Sequence, residues 1–259
     1  MSNLQEVDLP PGTRVVGDLH LDVEQPKAVA LFCAWLGSLS DCPRLVILGD
    51  LFEYWIGMAQ AESEGGLLVL EAMRGRVAAG TEIDVIPGNR DFLLDGRFEA
   101  RSGAKVRHEG FLGRLPGGER VLFLHGDELC IHDHSYQRLR RVLRSGPLLW
   151  LAPHLPTGLA RGLARRLRRA SKSAVAAKPG PQKQQMPEAA VEQLGRRKAQ
   201  ILVVGHAHRF RDEDLGSAGR WLVVDGFGGP RDQLRVGADG DLLAESSGSG
   251  HSPPPETSI

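Results

Sequence analysis

Five short apolar runs punctuate the chain, and each gives way to glycine or a polar residue. They comprise Val15-Val16 before Gly17-Asp18-Leu19-His20, residues 45–48 before Gly49-Asp50, residues 83–86 before Gly88-Asn89, residues 121–124 before His125-Gly126-Asp127, and residues 201–204 before Gly205-His206-Ala207-His208. Short runs rich in valine, isoleucine and leucine and bounded by turn residues read as strands buried on both faces. Residues 26–39 and 67–79 carry apolar positions at helical spacing, so residues 1 to about 90 read as strand-helix-strand units. Pro116-Gly117-Gly118 separates residues 106–115 from 120–124 and predicts a local antiparallel pair, and residues 221–224 and 234–236 predict closing strands. The expected fold class is α/β, a mixed sandwich.

That rhythm breaks at residues 136–178, which carry Arg138, Arg140, Arg141, Arg144, Arg161, Arg165, Arg166, Arg168, Arg169, Lys172 and Lys178 and no acidic residue. Interleaved leucines give the segment apolar faces, and Pro147, Pro153 and Pro156 divide it into short helices. The chain is therefore expected to divide into a first core part (1–135), a basic helical cap (136–187), a second core part (188–245) and a disordered tail (246–259) rich in Ser, Gly and Pro.

Composition narrows the class. With 259 residues, 41% hydrophobic and 25% charged, the chain can bury one sizeable core. Its 32 basic and 32 acidic residues cancel, so a general polyanion binder is not indicated and no nucleic-acid partner is expected. Cys33, Cys42 and Cys130 form no C-x-x-C pair, which argues for reduced thiols in the cytosol. No apolar stretch approaches the roughly 20 residues that span a bilayer, and the start lacks a signal-peptide pattern. A soluble or peripheral cytoplasmic protein is expected.

The polar residues after the strands carry the chemistry. In a layered α/β protein, loops at strand ends converge on one side, so Asp18, His20, Asp50, Asn89, His125, His206 and His208 can meet. Carboxylate, imidazole and amide ligands without thiolate suit Mn²⁺, Fe²⁺ or Zn²⁺ rather than a structural zinc. The set is too large for one ion, and Asp50 is the candidate to bridge two, which could activate water beside a phosphoryl group.

The ordered strings D-x-H at Asp18 and His20, G-D at Asp50, G-N-R-D at Gly88 to Asp91, H-G-D at His125 to Asp127 and G-H-x-H at His206 and His208 resemble the calcineurin-like metallophosphoesterases. The resemblance spans about residues 13–228 and implies two mixed sheets flanked by helices. It also implies one ion on Asp18, His20, Asp50 and His208 and another on Asp50, Asn89, His125 and His206. Many members have histidine where Arg90 stands, a residue that helps protonate a departing alkoxide. Arginine stays charged and cannot do so, but its planar fork grips phosphate oxygens. A phosphate leaving from a pyrophosphate needs no such proton, its second pKa being about 6, so Arg90 points to pyrophosphate cleavage.

The Gly88-Asn89-Arg90-Asp91-Phe92-Leu93-Leu94 run and the strings from Gly49 to Gly57 and His125 to Cys130 further resemble the UDP-2,3-diacylglucosamine diphosphatases of lipid A synthesis. That resemblance implies two Mn²⁺ ions, water attack on the uridine-side phosphorus, and release of UMP and the lipid sugar 1-phosphate. It implies catalytic roles for Asp50, Asn89, Arg90 and His125, and substrate contacts at Asn89, Arg90, Asp133, Tyr136, Arg168, Ser171, Lys178 and His206. The partner would be an anionic nucleotide-linked lipid at the cytoplasmic face of the inner membrane, which a basic amphipathic cap suits. The sequence departs from the family at Met58-Ala59, Val175, Val224-Asp225-Gly226-Phe227 and Met186-Pro187-Glu188. The alternatives are hydrolysis of another nucleotide diphosphate or phosphodiester, and a membrane- or nucleic-acid-binding module with structural metals.

Overall fold

The computed structural model describes residues 4–146, Gly162 and residues 184–248. Within them the chain forms two six-stranded mixed sheets. The first, in spatial order, holds β1 (Glu6–Asp8), β6 (Phe111–Arg114), β7 (Arg120–Phe123), β8 (Ile201–Val204), β10 (Arg220–Val223) and β9 (Arg211–Asp214). The second holds β12 (Leu242–Glu245), β11 (Gln233–Val236), β2 (Arg14–Val16), β3 (Arg44–Ile47), β4 (Glu82–Val85) and β5 (Lys105–Val106). Helices α1 (Pro26–Ser38), α2 (Met58–Ala61), α3 (Glu64–Ala78), α4 (Gly96–Ser102), α5 (His134–Leu143) and α6 (Pro187–Arg197) complete the described elements. This is the expected sandwich of two mixed sheets flanked by helices.

All five apolar runs are central strands, with β2, β3 and β4 parallel in one sheet and β7 and β8 parallel in the other. Side chains alternate across a strand, and here both faces are apolar. Leu45 and Ile47 of β3 pack with Val29, Phe32 and Leu36 of α1 and Val69, Leu70 and Met73 of α3. Val46 of the same strand and Leu48 just beyond it join Val121, Phe123, Ile201, Val203 and Leu222 between the sheets. The outer face of the first sheet, with Leu122, Leu202 and Val204, is covered by Ala189, Ala190 and Leu194 of α6. Burying each Val, Leu or Ile contributes about 1.5–3 kcal/mol, so three apolar layers account for runs with no polar alternation.

One expected strand divides. Residues 106–115 are not one strand: Val106 closes β5 at the edge of the second sheet, whereas Phe111–Arg114 pairs antiparallel with β7 in the first. A turn in which the Gly110 amide reaches the Arg107 carbonyl makes the switch. Both expected closing strands form, β10 parallel to β8 in the first sheet and β11 antiparallel to β2 in the second. Helix α5 starts at His134, within the segment read as core, and most of residues 136–187 lies outside the described residues. Beyond β12, Ser247 donates from its amide and hydroxyl to the buried Asp232 carboxylate, so the fastened chain reaches into the segment read as tail. Among the described residues no helix is long and apolar enough to cross a membrane.

Candidate metal centre

The ligand candidates follow the C-terminal ends of β2, β3, β4, β7 and β8, and backbone bonds draw those ends together. The amides of Asp18, His20 and Leu21 donate to the carbonyls of Gly49, Asp50 and Leu51 at 3.1, 2.8 and 2.9 Å, zipping two ligand loops. The His125 ring crosses from the other sheet to the Leu48 carbonyl, its Nδ1 at 2.7 Å. Asp18 (φ 52°), His20 (48°), Asp50 (48°), His206 (70°) and His208 (49°) all adopt the left-handed region; Lys198 is the other non-glycine there among the described residues. Such conformations cost on the order of 1–3 kcal/mol each and persist where the surroundings impose them. Their concentration on the sequence-predicted ligands marks one imposed site. Gly88 is required by close approach, because a Cβ there would fall 2.1 Å from Asp50 Oδ1.

The ligating atoms converge. His208 Nε2 lies 3.0 Å from His20 Nε2 and 3.5 Å from Asp18 Oδ1. Asp50 Oδ2 lies 3.9 Å from His20 Nδ1 and 4.0 Å from His125 Nε2. Two groups, Asp18-His20-His208 and Asp18-Asp50-His125, each keep their ligand atoms within 4.8 Å of one another. With its NH₂ turned inward Asn89 donates to both Asp50 oxygens at 2.5 and 2.9 Å. With the amide reversed, its oxygen faces only acceptors, an arrangement that a shared cation would satisfy. The His206 ring meets His125 edge-on at 5.0 Å, and its amide donates to Asp18 Oδ2 at 2.6 Å.

Divalent cations fit this donor set. Asp18 Oδ1, His20 Nδ1 and His125 Nε2 are buried without hydrogen-bond partners, a costly state for atoms that a metal would occupy. Because His125 Nδ1 faces a carbonyl it carries a proton, so Nε2, aimed at the cluster, is the nitrogen that would ligate a cation on losing its own proton. Burial opposes charge on His125, but the carboxylates of Asp50, Asp127 and Asp18 outweigh it and raise its pKa to about 9. Burial pushes Asp50 up, and burial with the charge of His125 brings His206 down to about 4. Asp18 is buried too, yet the neighbouring His208, His125 and His20 hold it well below the usual carboxylate range. The upward shifts of His125 and His208 reflect negative charge that a bound cation would otherwise neutralise.

No family model matches the chain. It is 36% identical over 234 residues to the UDP-2,3-diacylglucosamine hydrolase of Shewanella pealeana, covering 90% of this chain and 97% of that one. To the hydrolase of the same name from Pseudomonas fluorescens it is 37% identical over 196 residues, 75% of this chain and 78% of the other. The chain belongs to the UDP-2,3-diacylglucosamine hydrolase family. Among solved structures, a dimetal phosphatase from Danio rerio matches with a TM-score of 0.45 at 14% identity, covering 83% of this chain and 88% of that one. Vps29 complexed with zinc from Entamoeba histolytica matches at 0.41 and 13%, covering 90% and 96%.

In this UDP-2,3-diacylglucosamine hydrolase family member, a ring of polar residues braces the ligands. Asp91, fully buried, accepts from the amides of Gly88 (2.7 Å), Leu51 (2.8 Å) and Phe52 (3.3 Å), tying the loop after β4 to the loop after β3. Burial and the charge of Asp50 raise its pKa to about 7. Arg90 donates from its amide to Asp50 Oδ1 at 2.9 Å, and its partly exposed guanidinium pairs with Glu53 at 2.5 Å and lies 3.6 Å from Asp50. Buried Asp127 accepts from the Tyr136 hydroxyl at 2.6 Å and pairs with Arg140 at 2.8 Å. That pairing stacks the Tyr136 ring on His206 with centroids 6.4 Å apart.

Other sequence-predicted contacts have different places. Asp133 caps α5, its Oδ1 accepting from the Tyr136 amide at 3.0 Å and the Ser135 hydroxyl at 2.9 Å. Arg140 and Arg144, read as cap charges for phosphate, instead bind α5 to the core: Arg144 donates to the carbonyls of Pro87 (3.2 Å) and Gly88 (3.0 Å). Arg168, Ser171 and Lys178 lie outside the described residues. Sequence reasoning gave no role to Asp91, Asp127, Glu53 or Gln185; the first two stand at fixed steps after ligands in G-N-R-D and H-G-D, a spacing that could have flagged them. A hollow of about 310 Å³ lined by Glu119, Gln200, Asp214, Arg220 and Asp241 contains none of the candidate ligands.

Proposed function

We propose that this chain hydrolyses the pyrophosphate bond of UDP-2,3-diacylglucosamine, releasing UMP and 2,3-diacylglucosamine 1-phosphate. The observation that carries the reading is the meeting, at one end of the sandwich, of Asp18, His20, Asp50, Asn89, His125, His206 and His208 in a chain alike over 90% of its length to a hydrolase of that name. Asp18, His20, Asp50 and His208 would hold one divalent ion and Asp50, Asn89, His125 and His206 a second, with Mn²⁺ the favoured metal for this oxygen and nitrogen donor set. When bound, such ions supply Lewis acidity that activates water and neutralises phosphoryl charge.

The chain's own residues do the rest. Asp50, with Oδ2 3.9 Å from His20 Nδ1 and 4.0 Å from His125 Nε2, would take the bridging role. His125, its ring held by the Leu48 carbonyl, presents Nε2 without needing to turn. Arg90 reaches the cluster from its rim, where exchanging Glu53 for a phosphate oxygen would keep its charge paired. It cannot supply a proton, which fits a phosphomonoester leaving group that needs none. Tyr136 and His206 offer a ring surface beside the phosphate site, while Asp133, Arg168, Ser171 and Lys178 are proposed contacts on sequence resemblance.

The working place we propose is the cytoplasmic face of the inner membrane. Arg138, Leu139, Arg141 and Val142 of α5 are exposed, a mixture of basic and apolar side chains suited to an anionic lipid surface. Incubating the Mn²⁺-loaded protein with the lipid substrate should release UMP; release of UDP would place cleavage at a different bond and overturn the reading.

A further inference from the structure

Where the parallel ladder of β7 and β8 ends, a side chain takes over from the backbone. The last rungs are Leu124 N–H to the Val203 carbonyl (3.2 Å) and Gly205 N–H to the His125 carbonyl (2.9 Å). Beyond them both strands turn away, and the carbonyls of Gly126 and Gly205 face inward. The Gln185 amide nitrogen donates to both, at 3.2 and 2.9 Å. Each carbonyl belongs to a residue next to a ligand candidate, His125 on one side and His206 on the other. Gln185 is buried, and its amide orientation follows from facing two acceptors. The Met186 amide fixes the neighbouring backbone by donating to the Leu129 carbonyl at 3.0 Å. The fit is close enough to dictate its neighbour: a Cβ on Gly126 would fall 2.5 Å from the Gln185 nitrogen.

We infer that Gln185 is a positioning residue that sets the spacing of His125 and His206, and through them the affinity of the ion on that side of the pair. The inference rests on the two-metal reading for its second half only. His206 holds a left-handed backbone that needs outside support, and a bifurcated amide spanning the two loops provides it. Asp18, His20 and His208 receive no bond from Gln185 among the described residues, and their link to it is indirect, through the His206 amide on Asp18 and the Ala207 amide on the Gly205 carbonyl, so their subset should respond less to its loss. A metal-coordination set supported in this way loses about 10–100-fold in affinity when the supporting group is removed.

The test compares the full chain with Gln185→Met, which keeps the volume without donors, and Gln185→Glu, which keeps the shape but sets a carboxylate against two carbonyls. In metal-free protein with ¹⁵N-labelled histidine, the ring signals of His125 and His206 should move further than those of His20 and His208. In equilibrium Mn²⁺ binding, the weaker of two sites should lose about 10–100-fold and the other change less than threefold. Unmoved His125 and His206 signals would overturn the proposal even if the wild type binds two ions. Equal movement of all four rings with a large fall in Tm in both variants would overturn it too, since Gln185 would then be a general core residue. A wild type that binds one ion, with His125 and His206 still displaced selectively, would end the two-metal reading and leave the positioning role standing.

Discussion

The Asp50 carboxylate is approached by His20 and His125 and accepts hydrogen bonds from Asn89 and Arg90. In the proposed reaction, bond choice turns on Arg90. Arg90→Lys keeps the charge but loses the planar fork, and kcat/KM should fall about 10–100-fold with metal content unchanged; kinetics within threefold of wild type would remove the fork from the account. Asp91 acts through position. Asp91→Ala strands the amides of Gly88, Leu51 and Phe52, and urea denaturation should show a loss of about 3 kcal/mol. A stability within about 0.5 kcal/mol of wild type would mean that other acceptors take over those amides. At this scale the candidate ligands were legible because each lies within a few residues of the end of an apolar run. Their left-handed backbones were not, since aspartate and histidine carry no sequence mark of an imposed φ, and Gln185 belongs to no string that separates it from the surrounding glutamines.

Among the elements, α5 shows how a correct composition can carry an incomplete meaning. Its arginines are basic as read, but Arg140 and Arg144 face the core and are occupied by Asp127 and by the carbonyls of Pro87 and Gly88. Helical spacing places them on one face; it does not say what that face meets. The helix is thereby coupled to the loops that carry the candidate ligands. Asp127→Asn weakens the Arg140 pair and the Tyr136 bond, so amide exchange over 134–143 should quicken roughly tenfold while β3 and β8 keep their protection. Uniform acceleration across both sheets would show instead that Asp127 supports the whole fold. The strands were legible for the opposite reason: burial on both faces writes a continuous apolar run that no solvent-facing element would have.

For the whole molecule, local pattern gives strands but not partners. Residues 106–115 read as one strand up to the Pro116-Gly117-Gly118 turn, yet Arg107-His108-Glu109-Gly110 interrupts them, and Val106 and Phe111 lie in different sheets. A buried charge network at that edge, Asp84 with Arg44 and Arg107, was equally hidden, since Asp84 sits inside an apolar run and its partners come from either side in sequence. What survived such gaps was the site, because ligands placed after parallel strands converge whichever sheet each strand joins. The chemistry proposed for this arrangement is cleavage of a pyrophosphate with metal assistance and without protonating an alkoxide. The most direct measurement is identification of the nucleotide released from UDP-2,3-diacylglucosamine by the Mn²⁺-loaded chain and by Asp50→Asn. The account predicts UMP from the wild type and a loss of at least about a thousandfold in the folded variant; UDP as product, or undiminished UMP release by Asp50→Asn, would contradict it.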